Sequence, residues 1–250
     1  MERSQKDIAI RLLTTREQFA EAVELQRTIW GFAELDLLPV RLFIVASKVG
    51  GHAFGAFDEN KMVAFCLAIP GLKPGGVFYL HSHMLGVLEE YRNYGLGRRL
   101  KLAQRDDALE RGVDLIEWTF DPLELKNAFF NIERLGAVVR RFVFNQYGVT
   151  PSVFQGSLPT DRCIAEWQIA SPRVSGLLNG TPVERPLPVE KIEVPNAVGD
   201  WKRSDPARAR ETQAHISSLF DKYLSQGLAV TGFERGETSS SYLLSPWPSN

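Results

Sequence analysis

An α+β fold, with a mixed central sheet flanked by helices and a C-terminal helix plus β-hairpin extension, is what the sequence predicts, on three observations. Apolar residues recur at helical spacing in some stretches and alternate with period two in others. Glycines and prolines fall where one pattern gives way to the other. From Val77 to Leu135 the order reads strand, helix, strand, helix.

Each element follows from local chemistry. Ile8 to Leu13 alternate as a short strand, and Thr14 or Thr15 followed by Glu17 and Gln18 forms a helix-start signature. The helix runs to about Trp30 with Phe19, Val23 and Ile29 on its apolar face and Gln26 as a polar exception, and Gly31 stops it. A second helix follows Pro39, with Leu42, Val45, Ala46 and Val49 on one side and Gly50-Gly51 at its end. His52 to Asp58 and Met62 to Ile69 predict a hairpin around Glu59-Asn60-Lys61, Pro70 to Gly76 a loop, and Val77 to Val87 a third strand. Gly95 to about Glu110 reads as a helix closed by Gly112, Leu115 to Phe120 as a buried strand, and about Leu123 to Leu135 as a helix closed by Gly136. Val138 to Phe144 and Cys163 to Ile169 supply two more strands. Beyond Ser171 the texture changes: Gly180 to Pro195 carries four prolines, which predicts a surface-running segment. The boundary is placed there, giving a main domain over 1–170 and an extension over 171–250 that packs on it. In the extension, Arg208 to Leu224 is helical, with Ile216, Leu219, Phe220 and Tyr223 on a face that packs on the sheet, and Leu228 to Phe233 and Tyr242 to Leu244 are strands around the turn Glu234 to Thr238.

Composition excludes several function classes. The chain has 250 residues, 44% hydrophobic and 24% charged, so fibrous and wholly disordered readings fail. With 29 basic and 30 acidic residues it lacks the charge of a dedicated nucleic-acid binder. Cys66 and Cys163 are too few for a disulfide framework or a cysteine zinc site and are expected as buried free thiols. The charged start, Met1 to Asp7, has no apolar stretch behind it, and no apolar run spans a bilayer, so a cytoplasmic protein without membrane partners is expected.

The most informative stretch is Gly86 to Leu100, which joins a strand to a helix through Arg92-Asn93-Tyr94-Gly95-Leu96-Gly97-Arg98. A helix start leaves four backbone N–H groups without intrahelical partners and carries partial positive charge, so it seats phosphate. Gly95 and Gly97 let phosphates approach the main chain, and Arg92, Arg98 and Arg99 add charged donors. The ending of a Walker loop and the glycine spacing of a dinucleotide fingerprint are both missing. A glycine-capped surface turn with arginines would carry the same six residues.

Arg-x-x-Gly-x-Gly after a strand resembles motif A of the GNAT superfamily, the GCN5-related, acyl-CoA-dependent N-acetyltransferases. The element order over residues 8 to 169 resembles the whole GNAT order, about two thirds of the chain. This resemblance implies the GNAT fold and an enzyme with acetyl-CoA as co-substrate, no metal, and a small-molecule amine as acceptor. It implies that pantetheine pairs with main-chain groups of Leu85 and Val87, that the pyrophosphate rests on the amides of Asn93 to Arg98, and that Asn127 contacts pantetheine, although a solvent or capping role fits Asn127 equally. The chain is similar to GNAT-like bacterial proteins that carry a C-terminal extension, which serves either to cover an acceptor site or to form a homodimer contact.

Acetyl transfer needs a neutral amine, hence a base working near pH 7, and histidine suits that task. His81 and His83 stand two apart on the strand before the loop, so period two puts them on one face with Tyr79 and Leu85 while Ser82 points the other way. Together they resemble the His-x-His strand of the arylalkylamine N-acetyltransferases, which implies a proton relay. Hydrogen-bonded core histidines are the competing reading; a metal site lacks a third and fourth ligand, since His52, His215 and Cys163 are remote in sequence. Where many GNAT enzymes carry a tyrosine acid, four residues before the glycine that ends the helix, this chain has Ile132. Tyr147 or Tyr94 is then the substitute donor, or the protein is a CoA-binding module with weak or no turnover. Glu117 and Asp121 flank Trp118 and are candidates to shape the acceptor pocket, with Asp121 before Pro122 better suited to capping a helix.

Overall fold

The computed structural model describes residues 7–148 and 158–247. The start of the charged N-terminal stretch and much of the segment between the sixth and seventh strands lie outside them. The chain forms two compact units, 1–116 and 117–250.

In the first unit β1 (Ile8–Leu12), β2 (His52–Asp58), β3 (Lys61–Leu72) and β4 (Phe78–Val87) form an antiparallel sheet in that order. The expected helix start is present in full. Thr15 accepts from the Gln18 amide, the Gln18 side chain accepts from the Thr15 amide, and α1 (Arg16–Trp30) ends at left-handed Gly31. Gln26, the polar exception, is buried and holds the main chain of Leu38 through both ends of its amide. Phe43, from α2 (Val40–Lys48), meets Phe19 of α1 and Phe65 of β3 at the centre of the core. α3 (Leu96–Glu110) buries Leu96, Leu100, Lys101, Gln104 and Ala108.

β3 runs three residues past the expected end, pairing Pro70 to Leu72 with Phe78 to Leu80. The proline tolerates this because φ near −65° is compatible with extended chain and only its own N–H is missing from the ladder.

β5 (Leu115–Phe120) leads into the second unit, where strand order is β5-β7-β6-β9-β10-β8. The helix expected over 123–135 is a short α4 (Leu125–Phe129) that widens into a π-helical turn over Phe130–Arg134 before Gly136, whose φ is +80°. β6 (Val138–Val143) and β7 (Arg162–Gln168) pair antiparallel. The proline-rich segment is more ordered than expected. It is preceded by α5 (Pro172–Asn179), with Ser171 as its cap, and it ends in β8 (Glu190–Pro195), followed by α6 (Val198–Ser204). Ile192 and Val194 are fully buried, so the alternation Ile-Glu-Val outweighs the flanking prolines once β8 pairs with β10.

α7 (Pro206–Ser225) packs on β6, β8 and β9 through Ile216, Phe220 and Tyr223, as its spacing predicts. Phe220 stacks on Phe142 at 5.3 Å and meets Tyr242 edge-on at 5.0 Å. β9 (Leu228–Arg235) and β10 (Ser239–Pro246) form the expected hairpin. Both cysteines are buried free thiols. Among the described residues no helix is long and apolar enough to cross a membrane.

Candidate active site

The sequence between β4 and α3 folds into a cradle of main-chain donors. Asn93 and Gly95 both take left-handed conformations, with φ of 70° and 72°, which turns the chain sharply into the helix. Gly95 is the N-cap and offers no side-chain acceptor, and the first turn of α3 holds no acidic residue. Its carbonyl accepts from Arg99, while the amides of Leu96, Gly97 and Arg98 are the ones a helix start leaves without intrahelical partners. A Cβ built on Gly95 would meet nothing within 4 Å, and one on Gly97 only Leu85, at 3.7 Å, so the space over both glycines is open. An anion of pyrophosphate size therefore has donors, favourable dipole and room. Arg92 is half exposed beside Glu89 at 3.9 Å. Arg99 is committed elsewhere: its guanidinium donates to the Ile8 carbonyl. Tyr91 anchors the loop from below, buried, with its hydroxyl donating to Asp58 at 2.5 Å.

β4 leads into this loop. Leu88 donates its amide to the Val63 carbonyl of β3 at 3.0 Å, and antiparallel alternation then turns the N–H and C=O groups of Leu85 and Val87 away from β3. Those two residues thus present their main chain on the side of β4 that β3 does not use.

The two histidines come together, with ring centroids 5.8 Å apart. The face they share needs a correction. Leu67 of β3 pairs with Met84 and Ala68 with Ser82, so His83 is the extra residue of a β-bulge. The bulge reverses the alternation. Ser82 hydrogen-bonds residues of α3, and Leu85, three residues on, also faces α3 beside Gly97, whereas Gly86 faces Trp30 and Ile29 of α1. Leu85 is therefore not on the histidine face, and period-two reasoning fails at the one residue that the ladder skips.

Burial pushes the His81 imidazole down to about 4, helped by the positive charges of His83 and Lys101, and burial lowers His83 as well. At neutral pH His81 is an uncharged acceptor.

Two polar residues behind the strand escaped the sequence reading. Lys101 and Gln104 of α3 are buried and converge on Ser82: Lys101 Nζ donates to Ser82 Oγ, and Ser82 Oγ donates to Gln104 Oε1, each at 2.9 Å. Desolvation pushes the Lys101 ammonium down to about 7. The available signal was positional, because Lys101 and Gln104 fall among Leu96, Leu100 and Ala108 on the apolar face of α3.

In the second unit Asn127 stands exposed on α4. Ile132 is fully buried within the π turn, so it brings no hydroxyl to any site. Tyr147 is half exposed and shares a hydrogen bond with Thr119 at 2.9 Å; Tyr94 lies 6.4 Å from Tyr91 in the first unit. Glu117 is buried against the Arg141 guanidinium at 2.6 Å, and Asp121 accepts from the Leu123 amide at 2.8 Å in the turn before α4 and pairs with Lys202. Asp121 thus caps a turn and not the helix expected from its place before Pro122, since the N-cap of α4 is Glu124. Among the described residues no group of three or more histidine, cysteine or acidic side chains is arranged to hold a metal.

Residues 11–136 match the model of the acetyltransferase (GNAT) family. No curated protein sequence matches the chain. Among solved structures, the ribosomal-protein-S18-alanine N-acetyltransferase from Escherichia coli is 20% identical, with a TM-score of 0.51 over 66% of this chain and 95% of its own. NAA60 of Arabidopsis thaliana, in complex with a bisubstrate analogue, is 14% identical with a TM-score of 0.52 over 64% of this chain and 97% of its own. The NatC complex bound to Gag peptide and CoA gives 16% identity and a TM-score of 0.52 over 65% of this chain and 98% of the matched one. At such identities the likeness is one of fold.

Proposed function

The chain belongs to the GNAT family of acetyltransferases, and on that premise we propose that it is an acyl-CoA-dependent N-acyltransferase that moves an acetyl group to a small amine. The observation that carries the reading is the open, uncapped start of α3 directly after a strand that holds a histidine pair. Acetyl-CoA would supply the acyl group as a thioester, which a neutral amine converts to an amide with release of the thiol. The amides of Asn93 to Arg98 would hold the pyrophosphate, with Arg92 and Arg98 adding charge. Leu85 and Val87 would align pantetheine along β4 through their outward-turned main chain.

His81 and His83 would take the amine proton. An imidazole at about 4 is a weak base, but it stays neutral throughout the physiological range, and the more exposed His83 is placed to pass the proton on to water. Tyr147 or Tyr94 would stand in for the acid that Ile132 cannot supply. Asn127 would contact pantetheine.

Ile132 favours a second reading, a CoA-binding module with little turnover. Thiol release from acetyl-CoA across a panel of small amines separates the two. Release that disappears in the His81→Ala, His83→Ala double variant supports the enzyme; tight CoA binding without release, unchanged by that variant, supports the module.

A further inference from the structure

We propose that Ser82, Lys101 and Gln104 form a buried clamp that positions the His81–His83 pair relative to the helix whose N-terminus seats the acyl donor. The inference rests on the acyltransferase reading above and assigns these residues a positioning role; none of them touches the reacting atoms.

The geometry is specific. Ser82 is the residue between the two histidines and the last one in register before the bulge at His83. Its side chain points to the opposite face, where α3 supplies both partners, one turn of helix apart. Lys101 lies five residues after Leu96, roughly 7 Å along the helix axis. The same rigid helix thus carries the anion cradle at its first turn and the clamp in its second and third. At the bulge the register of β4 against β3 shifts by one residue. Two hydrogen bonds to the serine beside it hold the strand at one position along α3.

Core packing alone does not call for this arrangement. Burying a lysine and a glutamine costs more than burying leucines, and the Gln104 Nε2 has no partner among the described residues. A polar cluster that leaves one donor unsatisfied is retained at a cost in stability. The groups whose charge acts on His81 among the described residues are His83 on the same strand and Lys101 on α3, while the residue opposite on β3 is Ile69. Lys101 therefore reaches the histidine electrostatically as well as through Ser82.

The test uses the full chain with Ser82→Ala, Lys101→Met and the double variant. The Kd for CoA, measured by calorimetry, is expected to stay within about twofold, because the cradle is local main chain. The kcat for acetyl transfer is expected to fall on the order of tenfold in each single variant, as small misplacements of reacting groups do, with the double variant no worse than either single one. The His81 imidazole, titrated by NMR, is expected to move to higher pH in Lys101→Met, because a neighbouring positive charge is gone, and the acid limb of kcat/KM should move with it. A His81 titration that stays put with kcat unchanged overturns the clamp, as does a loss of kcat in Ser82→Ala matched by an equal loss of CoA-binding sites. If Lys101→Met does not fold, Ser82→Ala decides by the split between kcat and Kd. Wild-type protein that releases no thiol with any amine would sink the acyltransferase reading instead, and the imidazole titration would still judge the coupling between Lys101 and His81.

Discussion

The two compact units treat buried charge in opposite ways. In the second, several buried ions have opposite charge against them: Glu166 accepts from Arg140 at 2.8 Å and Arg141 at 3.0 Å, Arg141 also reaches Glu117, and Lys202 sits between Asp121 and Glu124 at 2.9 and 2.7 Å. In the first, half-buried His81 and the more exposed His83 have no acidic group among the causes of their shifts; desolvation, and for His81 neighbouring positive charge, push their titrations down. The contrast separates structural charge from chemical capacity. A satisfied ion pair fixes the chain but has no proton to exchange near neutrality, whereas a desolvated imidazole stays neutral and keeps a lone pair available. The first unit also contains a structural counterexample, since His52 is paired with Asp107 at 2.6 Å beside Arg111. Partnership, and not residue type, marks the difference.

That contrast can be broken at several points. The largest effect is expected from Gly95→Glu, which places a carboxylate in the anion cradle at a left-handed position that costs about 1 kcal/mol for a residue with Cβ. CoA binding by calorimetry should be lost while the circular dichroism spectrum is kept; retained affinity would remove the cradle from the CoA site. Next, replacing Arg140 and Arg141 together by alanine leaves Glu166 buried without its cations, and should lower unfolding free energy in urea by about 3 kcal/mol while leaving the Kd for CoA unchanged. A variant as stable as the parent would show that these pairs are not structural.

Somewhat smaller is the histidine effect: His81→Ala with His83→Ala should reduce kcat about 100-fold with the urea midpoint little changed, the inverse of the arginine result. The smallest concerns pH. His81 is held at about 4 in the fold against an ordinary 6.5, so the unfolded chain binds the extra proton first. Stability present above pH 6.5 is then lost as pH falls toward 4, on the order of 1 kcal/mol between pH 7 and 5. His81→Gln should flatten that slope in urea titrations at the two pH values; an unchanged slope would mean that His81 titrates normally.

What could be read from residues alone was whatever short-range chemistry dictates. The Thr15–Gln18 capping box, the stop at Gly31, the helix start at Gly95 and the apolar stripe of α7 are local consequences of side-chain size and hydrogen bonding, and they stand where the sequence places them. Pairing between distant segments was not legible. The alternation in β8 is short and flanked by prolines, and only the ladder with β10 makes it a strand. The bulge at His83 has no sequence mark, because it arises from the register between β3 and β4, and it decided which side chains share a face. Lys101 carries the identity of a surface residue, and its burial against Ser82 follows from the packing of α3 on β4.

The sequence by itself determined α1, α2, α3 and α7, the cap of α1 and the glycine turn, since a helix closes its hydrogen bonds within a few residues. The tertiary structure alone decided the strand register, the histidine face and the burial of Lys101, because each depends on contacts across many residues of chain and on the loss of water that such contacts bring.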